Sequence, residues 1–192
     1  MADGFIPAHG GYQKLQSYQR SLVVYQATVK FCREYFGKFD RTVDQMVQAA
    51  RSGKQNIIEG SMASATSKGT EIKLTNVARA SLEELLEDYR DFMRDRDIEE
   101  WKRDSPHARR LSELNRNPDA NYETFRKAVE HKDPAIRANA ITGLIKVTNY
   151  LLDQQIRKLE KEFLKEGGLR ERMYQARVKA RGKPWDKKPP AS

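Results

Sequence analysis

From Leu15 to Phe36 the chain repeats apolar and aromatic side chains at alternating intervals of three and four: Leu15, Tyr18, Leu22, Tyr25, Val29, Cys32 and Phe36. Only a helix returns residues at these spacings to one face, and an unbroken seam of this kind asks for another helix to cover it. A second stripe, Val24, Phe31 and Tyr35, runs beside the first. One stripe satisfies one neighbour. Two adjacent stripes predict additional contacts, including contact with another copy of the chain. The seam is read as a core face, with Tyr18 and Tyr25 inside it, and Gly37 as the stop.

Three further segments carry the same period. Asp40 is a candidate N-cap for a helix from Arg41 to Ala63, whose repeat is Val43, Met46, Ala50, Gly53, Ile57 and Gly60. Each glycine costs about 1 kcal/mol against alanine in a helix, so the pair predicts close approach by a neighbouring helix. Thr66, Ser67 and Gly69 suggest a turn, and a third helix begins near Thr70 with Leu74, Leu82, Leu85 and Phe92 on its apolar face. Asp133-Pro134 opens a fourth, with Ile141, Leu144, Ile145, Leu152 and Leu159, and Gly167-Gly168 closes it. All seven prolines fall outside these four segments, and no segment alternates with a period of two. The expected class is all-α, an up-down four-helix bundle over residues 12–168. An N-terminal arm (1–11) precedes it. A charged insertion of short helices (about 95–131) separates helices three and four, with Ser105-Pro106 and Asn117-Pro118 as helix starts. A basic tail (169–192) follows, with a short helix from Leu169 to Val178 and a Pro/Lys-rich end expected to be disordered.

Charge is distributed unevenly. The chain has 36 Lys+Arg against 27 Asp+Glu, a net of +9. Residues 167–192 hold eight bases and two acids, residues 12–41 six bases and two acids, and residues 83–113 eleven acids and seven bases. Basic and acidic surfaces should therefore lie apart, and a basic patch of this kind meets polyanions. The candidate contacts are Lys14, Arg20, Lys30 and Arg33, which lie off the first seam among tyrosines and glutamines, and Arg170, Arg172, Arg177, Lys179 and Arg181 in the tail. RNA or DNA held through phosphates would be bound with little sequence preference. No apolar run approaches the roughly 18 residues a spanning helix needs, so no membrane partner is expected. Cys32, the single cysteine, excludes an internal disulfide and falls on the seam, where a buried structural thiol is favoured. The absence of a secretory pattern gives a cytoplasmic expectation.

Catalytic patterns are thin. None of His9, His107 and His131 has a glutamate three residues before it, so the inward Glu-x-x-His pairs of di-iron bundles are absent, as are glycine-rich phosphate loops. No cofactor or metal is expected. Glu84, Asp88, Asp91 and Asp95 follow one helix face and could hold a cation, but a solvated face paired with Arg90, Arg94 and Arg96 is the preferred reading. Arg126 and His131 have the R-x4-H spacing of HEPN-type helical ribonucleases, although Lys127 does not suit that motif.

Two stretches carry a resemblance. Gln55-Asn56-Ile57-Ile58-Glu59-Gly60-Ser61, followed by Ala78-Arg79-Ala80-Ser81-Leu82-Glu83-Glu84, resembles the "four helix bundle protein" family, which includes proteins encoded in 23S rRNA intervening sequences. That family is similar to the accessory variability determinant (Avd) of diversity-generating retroelements. A likeness over nearly the whole chain, through His9-Gly10-Gly11-Tyr12, Ser17-Tyr18-Gln19, Asn149-Tyr150-Leu151-Leu152-Asp153 and Glu166-Gly167-Gly168-Leu169, resembles the four-helix-bundle suffix domain. The resemblance implies a homopentameric barrel of bundles and, from the Avd relatives, a basic surface for nucleic acid and a reverse transcriptase as partner. The long insertion and basic tail depart from the short family. The leading expectation is a non-catalytic, oligomeric nucleic-acid-binding accessory protein. The alternatives are a protein-interaction scaffold whose acidic insertion docks a partner enzyme, and a helical ribonuclease.

Overall fold

The computed structural model describes residues 10–37, 39–167 and 169–181. Most of the N-terminal arm and the tail from 182 onward, where disorder was expected, lie outside the described residues. Those described form seven α-helices and no strand: α1 (Gln16–Tyr35), α2 (Arg41–Ala63), α3 (Lys68–Arg94), α4 (Pro106–Asn115), α5 (Tyr122–Val129), α6 (Pro134–Glu166) and α7 (Leu169–Arg181). The chain is all-α. No described helix is long and apolar enough to cross a membrane.

Local chemistry sets the helix starts. The Asp40 carboxylate accepts from Thr42 N at 2.9 Å and the Asp133 carboxylate from Ala135 N at 2.8 Å, each satisfying an amide that the helix itself leaves unpaired. Ser67 Oγ accepts from Thr70 N at 3.1 Å, so α3 begins at Lys68, slightly earlier than the sequence suggested. Pro134 occupies the first turn of α6, where its missing N–H leaves no bond unmade.

The four long helices form a ring of neighbours: α1 packs on α2 and α6, and α3 packs on α2 and α6. Between α1 and α6 and between α3 and α6 the contacts ascend one helix while descending the other. Between α1 and α6, Ser17 reaches Gln155 and Glu34 pairs with Arg137. Between α3 and α6, Lys68 reaches Glu162 and Asn149 donates to Glu83. Between α2 and α3, Ser52 and Ser81 hydroxyls meet at 2.9 Å. The two helical glycines serve the approach predicted for them. A Cβ on Gly53 would fall 2.7 Å from Leu82, and one on Gly60 would fall 3.4 Å from the Glu71 carbonyl. Both are therefore consumed by α3 within one chain and leave nothing over for a second copy.

The core face of α1 differs from the expected one. Ser17, Arg20, Ser21, Val24, Ala27, Thr28 and Phe31 are buried, whereas Leu15, Tyr18, Leu22, Tyr25 and Val29 are half-exposed. Val24 and Phe31 of the second stripe and Cys32 of the seam are fully buried, while Leu15, Tyr18, Tyr25 and Phe36 of the seam pack against the core from its rim. Phe31 explains the choice: its ring lies 4.7 Å from Phe92, 4.9 Å from Tyr89 and 4.8 Å from Tyr35, centroid to centroid. Such aromatic contacts add about 0.5–1.5 kcal/mol each to the area buried. Tyr89 donates to Thr28 Oγ1 at 3.1 Å, so its hydroxyl is satisfied inside. Cys32 is buried as expected, 3.8 Å from the Met46 sulfur, and burial pushes its thiol up to about 12, which keeps it protonated and unreactive.

The insertion folds back over α6. Ser105 caps α4 as expected, accepting from Ala108 N. Asn117-Pro118 does not start a helix. The Asn117 side chain accepts from Asp119 N and its carbonyl from Ala120 N, making a turn, and α5 begins only where Asn121 and Thr124 form a reciprocal capping box.

Candidate nucleic-acid interface

The four candidate cations of the first helix have three different fates. Lys14 and Arg33 are exposed. Lys30 forms an ion pair with Glu130 and lies 4.6 Å over the Tyr122 ring, so its charge is shared with a carboxylate on the insertion. Hydrogen bonds from Lys30 and Tyr122 hold Glu130 down to about 2.

Arg20 corrects the sequence reading outright, since only 1% of it is exposed. Its guanidinium donates to Asn115 Oδ1 at 3.0 Å and to the carbonyls of Asn115, Asn117 and Ala120 at 3.3, 2.7 and 2.5 Å, and it stacks over Phe125. These acceptors are the end of α4 and the turn beyond it. The last carbonyls of a helix lack partners and carry the negative end of its dipole, so a buried cation is stabilised there without a carboxylate. Arg20 is a structural clamp between α1 and the insertion. With its donors committed inward, it offers nothing to a phosphate.

The tail candidates Arg170, Arg172, Arg177, Lys179 and Arg181 all fall within α7, which runs past the expected Val178 to Arg181. Among the described residues this helix makes at most glancing contact with the others, and Arg177 and Lys179 are exposed. Apolar Met173 and Tyr174 are exposed on it as well.

The residues singled out for catalysis are otherwise engaged. Arg126 bridges Glu123 and Glu130, and His131 Nδ1 accepts from Asp133 N at 3.0 Å. Asp91 pairs with Arg94, and burial together with Asp91 and Glu84 raises Asp88 above the usual carboxylate range. Among the described residues no three His, Cys, Asp or Glu side chains gather as metal ligands.

Sequence reasoning passed over a concave feature of the surface. Between the insertion and α6 lies a cavity of about 680 Å³, lined by Trp101, Arg103, Arg109, Arg116, Thr142 and Tyr150 among others. At its floor Leu111 sits over Gly143, where a Cβ would come within 2.4 Å of the leucine methyl. Trp101 is pinned, because its backbone N–H donates to Asn139 Oδ1 at 2.7 Å while Asn139 Nδ2 donates to the Glu99 carbonyl. The His107 ring stacks on Trp101 at 4.9 Å. A tryptophan in a stretch without apolar period, followed by Lys102 and Arg103, was the available signal.

Compared with known proteins, the chain matches no family model, no curated protein and no solved structure.

Proposed function

We propose that this chain is a non-catalytic, oligomeric accessory protein that binds RNA or DNA through phosphates, built on an up-down four-helix bundle. The observation that carries the reading is α7, a helix rich in arginine and lysine on which Arg177 and Lys179 are exposed. A surface helix with this composition and little packing of its own is suited to lie along a phosphate backbone. Exposed Lys14, just before α1, and Arg33, near its end, are further candidate contacts, while buried Arg20 is not. The likeness to the four-helix-bundle suffix domain and to Avd supports a reverse transcriptase as partner and a homopentamer as the assembly. Half-exposed Leu22 and Val29 of the seam support self-association independently, since a second copy would cover them.

The test compares the full chain with a variant lacking residues 169–192, by fluorescence anisotropy with a labelled RNA or DNA duplex across salt concentrations. Deletion should leave helical circular dichroism intact. It should weaken binding and lower the salt slope by about 0.9 per lost duplex contact. Equal affinity and equal slope would remove α7 from the interface. Light scattering on a sizing column reads the assembly, and a species near 22 kDa would rule out the oligomer.

A further inference from the structure

We propose that the cavity between α4 and α6 seats one unpaired nucleotide of a single strand, its base against Tyr150 and Trp101 and its phosphates on Arg109 and Arg116. The proposal deepens the nucleic-acid reading above and rests on it. Three properties of the cavity point the same way.

The first is size. About 680 Å³ lies within the roughly 300–1,000 Å³ typical of small-molecule sites. The second is charge. The two acids on the wall are already committed: Glu100 to Arg90 and Lys146, and Glu113 to Arg110. Arg103, Arg109 and Arg116 have no carboxylate partner among the described residues, so the cavity presents guanidinium forks without counter-charge, the geometry that suits phosphate oxygens. The third is the mixture of flat and polar groups. Tyr150 is 61% exposed although it lies on the helix that buries Ile141, Leu144, Ile145 and Leu152. Trp101 is fixed by Asn139 and covered on one side by His107. Thr142 Oγ1 is buried without a hydrogen-bond partner, and a hydroxyl can either donate to or accept from a base edge. A base within a duplex is stacked on both sides and cannot enter a concave site, whereas an unpaired base can be splayed out onto an aromatic ring. An acidic peptide would use the arginines and leave the aromatic rings idle.

The experiment uses the full chain carrying Trp185→Phe, which leaves Trp101 as the single tryptophan. A short oligothymidylate should change Trp101 fluorescence saturably. Tyr150→Ala should weaken that binding about tenfold, and Tyr150→Phe should restore it, because the ring and not the hydroxyl makes the stack. Arg109→Ala with Arg116→Ala should lower the single-strand salt slope by about 1.4. An abasic strand of equal length, a polyglutamate or free thymidine monophosphate producing the same change at the same or higher affinity would overturn the proposal. So would a duplex that matches the single strand. If strand and duplex both bind by anisotropy while Trp101 is silent, the cavity assignment fails and the phosphate-binding reading stands. If neither binds, both fall together.

Discussion

Two places in the molecule use the same device and end differently. At the α2–α3 contact a leucine, Leu82, sits over a glycine, Gly53; at the α4–α6 contact Leu111 sits over Gly143. Around Gly53 the device is repeated and reinforced by Ala78, Thr75 and Gly60, so two long helices close along their length. Around Gly143 it stands alone, beneath a ten-residue helix whose only buried side chain is Leu111. One small residue lets a helix touch, whereas a row of them lets it lie flush. The space left beside the single touch is the cavity.

Arg20 is the strongest lever on this contrast, because it holds the insertion side together from α1. Arg20→Ala should destabilise the protein by about 3 kcal/mol in urea unfolding, since several buried oxygens lose a charged donor at once. Arg20→Lys should recover only part of that, as an ammonium cannot reach four acceptors in fork geometry.

The two glycines should then separate. Gly53→Ala should cost about 2 kcal/mol, because Leu82 is fully buried and has nowhere to move. Gly143→Ala should be nearly neutral globally, as the clash falls on a leucine methyl of an outer helix that can lift, and alanine returns up to about 1 kcal/mol of helix propensity. Hydrogen exchange should speed up selectively in residues 106–115 of that variant. Equal global losses at both sites would erase the distinction.

The smallest effect concerns pH. Glu130 lies at about 2 in the folded protein against an ordinary 4.5. A depressed carboxylate stabilises the fold above its unfolded value, and that contribution is lost as pH falls from about 4.5 through 2. Glu130→Gln should flatten this part of the acid limb in thermal melts, loosening α5 from α1 while leaving the α2–α3 contact unchanged.

Sequence alone revealed what is decided locally. Asp40, Ser105 and Asp133 each act on amides within three residues, and their helices start where those residues say. The glycines of α2 were legible because their cost demanded a use. The inward face of α1 was not, since two apolar stripes compete and the winning one carries Ser17, Ser21 and Thr28, small polar residues that pass for surface. Arg20 was misread for the same reason. Nothing near it in the chain discloses that a helix end 95 residues away supplies its acceptors. The cavity joins residues of the insertion to Tyr150, a juxtaposition that no periodicity encodes.

The Arg20 clamp also orders events in time. Its acceptors lie 95–100 residues downstream, whereas α2 and α3 are joined by a tight turn and can pair as soon as both are made. Contacts that close large loops form late. During synthesis the arginine waits as a solvated charge until residue 120 has emerged, and α1 cannot settle its polar stripe before then. Refolding followed by pulsed hydrogen exchange should protect the α2–α3 hairpin before α4, so the Arg20 clamp closes on a hairpin that is already paired.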